Sequence, residues 1–369
     1  MTNTVCLAAD TLAYPMGGGH RWVYINWALG LRAAGCEVRW IEWIRSDTSD
    51  SEAAAWEAAL RADLERHGLA QSLVLHDERG ESSGMTLDAV GGEIDLVLTL
   101  SYTVPEGLLM RARRSAMIDI DPGLTQLWLR AGDLEVADHD LFFSTGTAAR
   151  QRDGLPACGI DWHYTPPCVD VGSWPVTVAD ASAPYTTVTH WWADGSIEID
   201  GEWILNSKSV GFEPFLELPG QSDVALELAL GGLDSVEEEE RLRSFGWRVA
   251  DGWTAAGTTA AYASYIKASR GEFSCVKPSV SRLKPGWISD RTLCYLASGK
   301  PAVVQYSGEL HLPEDEYGLV QFGTLAEAAS AIARVEAEYE RHSRSARALA
   351  ESRFDAKLVA TGVLEQVLA

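Results

Sequence analysis

Short apolar runs alternate with stretches of helical spacing along most of the chain. Residues 4–9 form an unbroken apolar run closed by Asp10, which reads as a strand buried on both faces. A glycine-bearing loop follows, and then Trp22, Ile25, Ala28, Leu29 and Leu31 recur with the period of a helix. Gly35 stops that helix, and residues 37–43 read as the next strand. Strand, loop, helix, strand is the opening of a doubly wound parallel sheet. The pattern then predicts an amphipathic helix over 51–69 with Gly68 as its stop and a strand over 93–100. A helix near 105–114, a strand over 115–121 and a short helix fed by a turn at 121–126 come next. Residues 139–146 read as a strand with a polar mouth.

Periodicity is lost over 159–184, where Pro166, Pro167 and Pro175 fall within ten residues. This stretch reads as a connection between domains. Beyond it the alternation resumes. Residues 186–191 form a β-rich run, 194–203 a hairpin, and 223–230 and 246–249 strands around a helix at 236–243. A helix over 258–268, a strand over 273–276, a loop over 278–286, a helix over 291–298 and a strand over 301–305 follow. A strand near Phe322 and a series of helices from 325 close the chain. At 369 residues, 46% of them hydrophobic, the chain has enough apolar material for two cores. The expected units are an N-terminal domain at 1–175, a C-terminal domain at 176–352, and a terminal helix at 353–369.

Charge changes the picture in one place. The chain carries a formal charge of -23, which argues against nucleic acid or an anionic membrane as partner. No apolar run reaches the length of a membrane span. The six cysteines show no CxxC pairing and several lie in apolar runs, which suits free thiols in a reducing cytoplasm. Against the acidic background, residues 267–301 hold seven basic residues and only two acidic ones, Glu272 and Asp290. A local reversal of sign is what an anion pocket needs. Ser289 and Asp290 are N-cap residue types, so the helix behind them aims its free N–H groups at the basic loop. The plain alternative is a strand–helix–strand unit with a solvated basic loop.

The run Ala297-Ser-Gly-Lys-Pro-Ala-Val-Val304, with Gly286-Trp-Ile-Ser-Asp-Arg-Thr-Leu-Cys-Tyr-Leu-Ala297 before it, resembles the C-terminal half of GT-B glycosyltransferases. It is similar to a "GWFSDR-x-x-CYLA" signature in a group of such proteins. The resemblance implies an α/β chain of the GT-B type, with two Rossmann-like domains facing each other across a cleft. A nucleotide diphosphate sugar would be co-substrate, with no further cofactor and no bound metal, because protein cations replace it. Arg270, Glu272, Lys277, Ser289, Asp290 and Arg291 are then the donor-binding candidates. Lys208, which in the related group faces the donor phosphates, joins them, as do Ser307 and Gly308 through backbone N–H groups. One departure is plain. Common retaining members carry a glutamate five residues before the glycine, for the donor ribose, and here that position is Cys294. Asp290, one turn earlier, is the candidate for that task. Residues 312–320 resemble the family's "LP-x-G-x-G-L-L" segment.

The N-terminal loop, with Gly17, Gly18 and Gly19, lacks the G-x-G-x-x-G spacing of a dinucleotide fingerprint. It resembles the GT-B opening instead, and Leu31-Arg-Ala-Ala-Gly-Cys-Glu-Val38 fits the "G-L-R-x-x-G-x-x-V" that follows there. In inverting members a histidine at this junction is the general base, oriented by an aspartate about a hundred residues on. That implies His20 as base and Asp119 or Asp121 as its orienter, with Gly18 and Gly19 beside the substrate. Gln126 is a candidate for an acceptor pocket, and His139 is a second catalytic candidate. The expectation is a glycosyltransferase acting on a small diffusible acceptor, a natural product for example. An epimerase or phosphorylase on the same fold, and a nucleotide-sugar binding protein without catalysis, stay open as alternatives. The sequence leaves the oligomeric state open, a homodimer included.

Overall fold

The computed structural model describes residues 2–77, 93–105, 107–178, 180–192, 195–312 and 317–369. Seven parallel strands form the first sheet: β1 (Thr4–Ala8), β2 (Glu37–Ile44), β3 (Leu73–Asp77), β4 (Ile94–Thr99), β5 (Ala112–Asp119), β6 (Leu141–Ser144) and β7 (Trp162–Tyr164). Their order is β3-β2-β1-β4-β5-β6-β7. The first half carries helices α1 (Gly18–Ala33), α2 (Asp50–Arg66) and α3 (Leu124–Ala131).

The second half holds β8 (Tyr185–His190), a small antiparallel hairpin of β9 (Ser196–Ile199) and β10 (Glu202–Leu205), then β11 (Leu226–Gly231), β12 (Arg248–Asp251), β13 (Gly271–Ser274), β14 (Ala302–Gln305) and β15 (Leu319–Phe322). Its main sheet is parallel, ordered β12-β11-β8-β13-β14-β15. Its helices are α4 (Lys208–Phe212), α5 (Val236–Ser244), α6 (Gly252–Ala256), α7 (Thr259–Ala268), α8 (Pro278–Leu283), α9 (Asp290–Ala297), α10 (Leu325–Ala337), α11 (Tyr339–Leu349) and α12 (Ala356–Val367). Both sheets run outward from their first strand in two directions. Each therefore has a switch point where the connections part: between β1 and β4 in one, between β8 and β13 in the other. Open α/β sheets bind ligands beyond the strand C-termini at such points.

Side-chain alternation explains the layers. Along β1, Val5 and Leu7 enter the large core under α1, while Cys6 and Ala8 enter a smaller core on the opposite face with Ile41, Ile94 and Val97. Two-sided burial accounts for the unbroken apolar run at the start of the chain. In the second half, Phe273 and Phe322 stack with ring centroids 5.2 Å apart at the centre of a separate core. The chain then returns. Ala356–Val367 packs on α1 and β5, so Val359, Val363 and Val367 belong to the first core.

Three expectations are corrected. The described residues of 105–114 form no α-helix: a 3-10 turn at Leu109–Arg111 leads straight into β5, whose pairing with β4 outweighs the local spacing. The loop expected over 278–286 begins with the short helix α8, started by Pro278 at its first position. β7 is a strand that the apolar pattern does not announce. Asp194 of the hairpin stretch and residues 313–316 of the 312–320 resemblance lie outside the described residues.

Candidate active site

The C-terminal edges of the two sheets face each other across a cleft of about 610 Å³. From the first half it is lined by the loop after β1 with the start of α1, by the ends of β4 and β5, and by Tyr24 of α1. From the second half come the end of β8, Gly231 at the end of β11, Gly252 and Trp253 after β12, Tyr262 of α7, and the tip of α9. His20 and the segment Ser289–Asp290–Arg291 share this hollow. Gly18, Gly19 and Asp121 line it as well.

The glycines of the loop serve approach between the halves. A Cβ at Gly18 would lie 2.3 Å from the Thr258 carbonyl oxygen, and one at Gly19 would lie 2.8 Å from the Tyr262 ring. Only hydrogen at these positions lets the start of α1 press against the second half. Two buried bonds continue the contact. Trp22 Nε1 donates to the Thr259 carbonyl (2.9 Å), and Thr259 Oγ1 donates to Asp63 Oδ1 (2.8 Å). Asp63 also takes the Arg21 guanidinium, so its buried charge is paired.

His20 stands between Tyr14 and Tyr24, edge to face at 5.0 and 5.2 Å between ring centroids. Burial, helped by the neighbouring Arg21 charge and opposed by a hydrogen bond with the Asp10 backbone, lowers its pKa to about 4. The imidazole is therefore neutral at pH 7. Its Nε2 is buried and has no hydrogen-bond partner, although it borders the cleft. A neutral imidazole with a free lone pair can accept a proton from a bound hydroxyl.

Asp119 does not orient this histidine. It is fully buried and accepts from Thr125 Oγ1 (2.7 Å), Gln126 Nε2 (2.9 Å), Ser144 Oγ (2.9 Å) and the Asp121 N–H (2.9 Å). Its role is to hold the turn after β5 that presents Asp121 to the cleft. Gln126 is spent on the same network, with Oε1 accepting from the Gly123 N–H at 2.6 Å, and lines no acceptor pocket. No hydrogen bond joins Asp121 to His20 among the described residues.

The tip of α9 is open. Ser289 caps it in extended geometry but makes no side-chain cap bond. Asp290 carries the first helical position. Burial raises its pKa to about 7, its own backbone N–H opposes that shift, and the Asp121 charge adds to it. Arg291 is drawn inward: Nε donates to Glu272 at 2.8 Å and Nη1 to the Val188 carbonyl at 2.9 Å. Glu272 is wholly buried behind it and reaches no ligand.

Lys208 and Lys277 line a small adjoining chamber with Asp121, Trp287 and Ser279. Lys208 Nζ donates to the Cys275 carbonyl, and burial beside Arg291 and Lys277 lowers its pKa to about 7. Two lysines thus lie next door to the main cleft, on the far side of Asp121.

Four expected site residues lie elsewhere. Arg270 precedes β13, pairs with Glu336 and stacks 3.3 Å over Tyr339, at the sheet edge away from the cleft. His139 precedes β6 and packs edge to face on Phe142, again at the wrong strand end. Ser307 donates to the Trp287 carbonyl at 2.6 Å, and Gly308 is packed on Lys284 and Gly286 backbone. Conversely, Tyr14, Tyr24, Tyr102, His190, Trp253 and Tyr262 line the cleft without having been singled out by spacing or charge. Tyr102, His190 and Trp253 each follow a strand C-terminus, a signal present in the sequence.

No protein-family model matches the chain, and no curated protein matches it in sequence. Solved structures do match in shape. The HepE protein of Anabaena, solved in complex with UDP-glucose, superposes with a TM-score of 0.58 at 13% identity, covering 98% of each chain. A glycosyltransferase involved in avilamycin A biosynthesis gives 0.55 at 14%, over 99% of this chain and 96% of that one. Sucrose-phosphate synthase from Thermosynechococcus elongatus gives 0.54 at 11%, over 99% and 98%. Two facing doubly wound sheets, matched over nearly the whole length to glycosyltransferases of this architecture, give the chain the GT-B fold.

Proposed function

We propose that the protein is a glycosyltransferase that moves a sugar from a nucleoside diphosphate donor to the hydroxyl of a small acceptor. The observation that carries this reading is the shared cleft. It brings a neutral, partnerless imidazole nitrogen of one half into the same hollow as the tip of α9, with Arg291 at that tip and Lys208 and Lys277 in the adjoining chamber. The structural neighbours add support, since HepE is solved with UDP-glucose.

In this reading the acceptor hydroxyl gives its proton to His20 Nε2 as its oxygen attacks the anomeric carbon. The bond from that carbon to the diphosphate oxygen breaks, and the diphosphate leaves with the electron pair. A single displacement of this kind inverts the anomeric centre. Arg291, Lys208 and Lys277 are the groups placed to meet the growing negative charge. Trp253 and the backbone at Gly231 and Gly252 offer a flat wall for a nucleobase at the C-terminal edge of β11 and β12. Walls from both halves shield the reacting atoms from water.

The test is a thermal-shift screen against UDP, GDP, ADP and TDP, because a ligand bound only by the native state raises its apparent stability. One nucleoside diphosphate is expected to raise the midpoint at millimolar concentration. The His20→Ala variant should keep that shift and lose turnover. A protein that responds to none of the four is no nucleotide-sugar transferase.

A further inference from the structure

The tip of α9 carries an acid at the place where a diphosphate is expected. Asp290 lines the cleft, and its Oδ1 is buried without a hydrogen-bond partner. Asp121 reaches the same hollow from the opposite half, close enough for the two carboxyls to sense each other's charge. The first is fixed by its helix start. The second is fixed by the turn that Asp119 and Gln126 build. Neither carboxyl belongs to an ion pair among the described residues. Above about pH 7, where Asp290 is ionised, a cation between the two acids is favoured over an anion. The cations that suit a diphosphate lie to one side, at Lys208 and Lys277, with Asp121 as the partition.

Tyr102 and Tyr262 line the same cleft, and aromatic rings attract a cation more than a neutral hydroxyl. The field of the whole molecule points the same way. At a formal charge of -23 it draws cations toward the opening of the cleft.

We propose that Asp121 and Asp290 together form a binding site for a protonated amine, so that one of the two substrates carries an ammonium group held between the halves. The inference rests on the transferase reading for the word substrate, while the amine site itself rests on the acid pair. The amine is borne either by the acceptor or by the transferred sugar, and the two sources are separable.

The experiment is calorimetric titration of the full chain with two matched pairs: tyramine against N-acetyltyramine at pH 8, and glucosamine against N-acetylglucosamine at pH 7, where the sugar amine is largely protonated. A charge-assisted bond to a buried carboxylate contributes about 1.5–3 kcal/mol, so the amine of at least one pair should bind roughly tenfold or more tightly than its amide. The tyramine pair reports an acceptor amine and the glucosamine pair a sugar amine. In Asp121→Asn and Asp290→Asn the preference should fall to about threefold or less, since each removes one carboxylate charge while keeping its shape. Equal binding of amine and amide in both pairs, or no binding at all, overturns the proposal. So does a preference that survives in both variants. The amine-against-amide comparison on the unaltered protein stands even where a variant fails to fold. Binding of UDP, GDP, ADP and TDP is measured alongside. Amine preference without nucleotide binding would remove the transferase reading and leave the amine site.

Discussion

His20 and Asp290 face the same hollow with proton affinities pushed in opposite directions by the same cause. Burial keeps the base neutral and the acid protonated. For catalysis, His20→Ala should lower kcat by about 10²–10⁴-fold with nucleotide affinity unchanged, which single-turnover rates and titration will separate. The acid limb set by His20 should fall near pH 4, well below the ordinary histidine range, and a pH profile of kcat/KM checks it. For stability, the folded state holds the Asp290 proton up to about pH 7, whereas an unfolded chain releases it near 4. Stability therefore declines as pH rises from about 4 to about 7 and is level above that. Asp290→Asn should be more stable than the parent by about 1–3 kcal/mol at pH 8 and nearly equal to it at pH 4, read from denaturant midpoints at the two values. Glu42 is wholly buried and accepts from Thr11 Oγ1, the Leu12 N–H and Trp40 Nε1. It tethers the loop after β1, and burial raises its pKa to about 8, so its titration adds to the same decline.

At the scale of elements, α1 makes two approaches to backbone that only glycine permits. Gly18 meets the Thr258 carbonyl, and Gly30 lies where a Cβ would come within 2.4 Å of the Ala356 carbonyl. Both neighbours are backbone, so neither gives way cheaply. Gly30→Ala should cost about 1–3 kcal/mol by prying α12 from α1, measured by thermal unfolding. Gly18→Ala should hold the halves apart, and loss of turnover with the nucleotide site intact is the expected readout.

Strand polarity decides how much of the site the sequence discloses. His20, Asp121 and Tyr102 follow strand ends in the first half, as His190 and Trp253 do in the second, and all five reach the cleft. Arg270 and His139 precede their strands, so the direction of the chain already places them on the far edge. What the chain order does not disclose is the partner of each charge. Arg270 looks like part of an anion site until Glu336, sixty-six residues on, is folded against it. The Glu272–Arg291 pair hides in the same way. Most strands are legible because two-sided burial leaves unbroken apolar runs; the short edge strands β3 and β7 carry no such run and are not. The misread segment at 105–114 lacks such a run and takes its form from β4.

On the scale of the whole molecule, the two sheets meet through few but buried polar contacts. The Trp22 bond to Thr259 is one that can be removed cleanly. Trp22→Phe should lower the thermal midpoint by the equivalent of about 0.5–1.5 kcal/mol, and calorimetry will show whether the halves then melt separately. Contacts at the far side of the cleft add to this joint: Trp287 Nε1 donates to the Ile120 carbonyl at 3.0 Å, and the Thr147 N–H donates to the Gly286 carbonyl at 3.1 Å.

The placement of α12 bears on how the protein is made. Val359, Val363 and Val367 fill a core whose other walls emerge from the ribosome first, yet they are translated only after the entire second sheet. During synthesis the leading half waits with an uncovered apolar groove along α1, while the trailing half can already collapse on its own phenylalanine centre. Order of birth and order of maturation are thus reversed, and nascent chains stalled just before Ala356 should be the ones that chaperones hold.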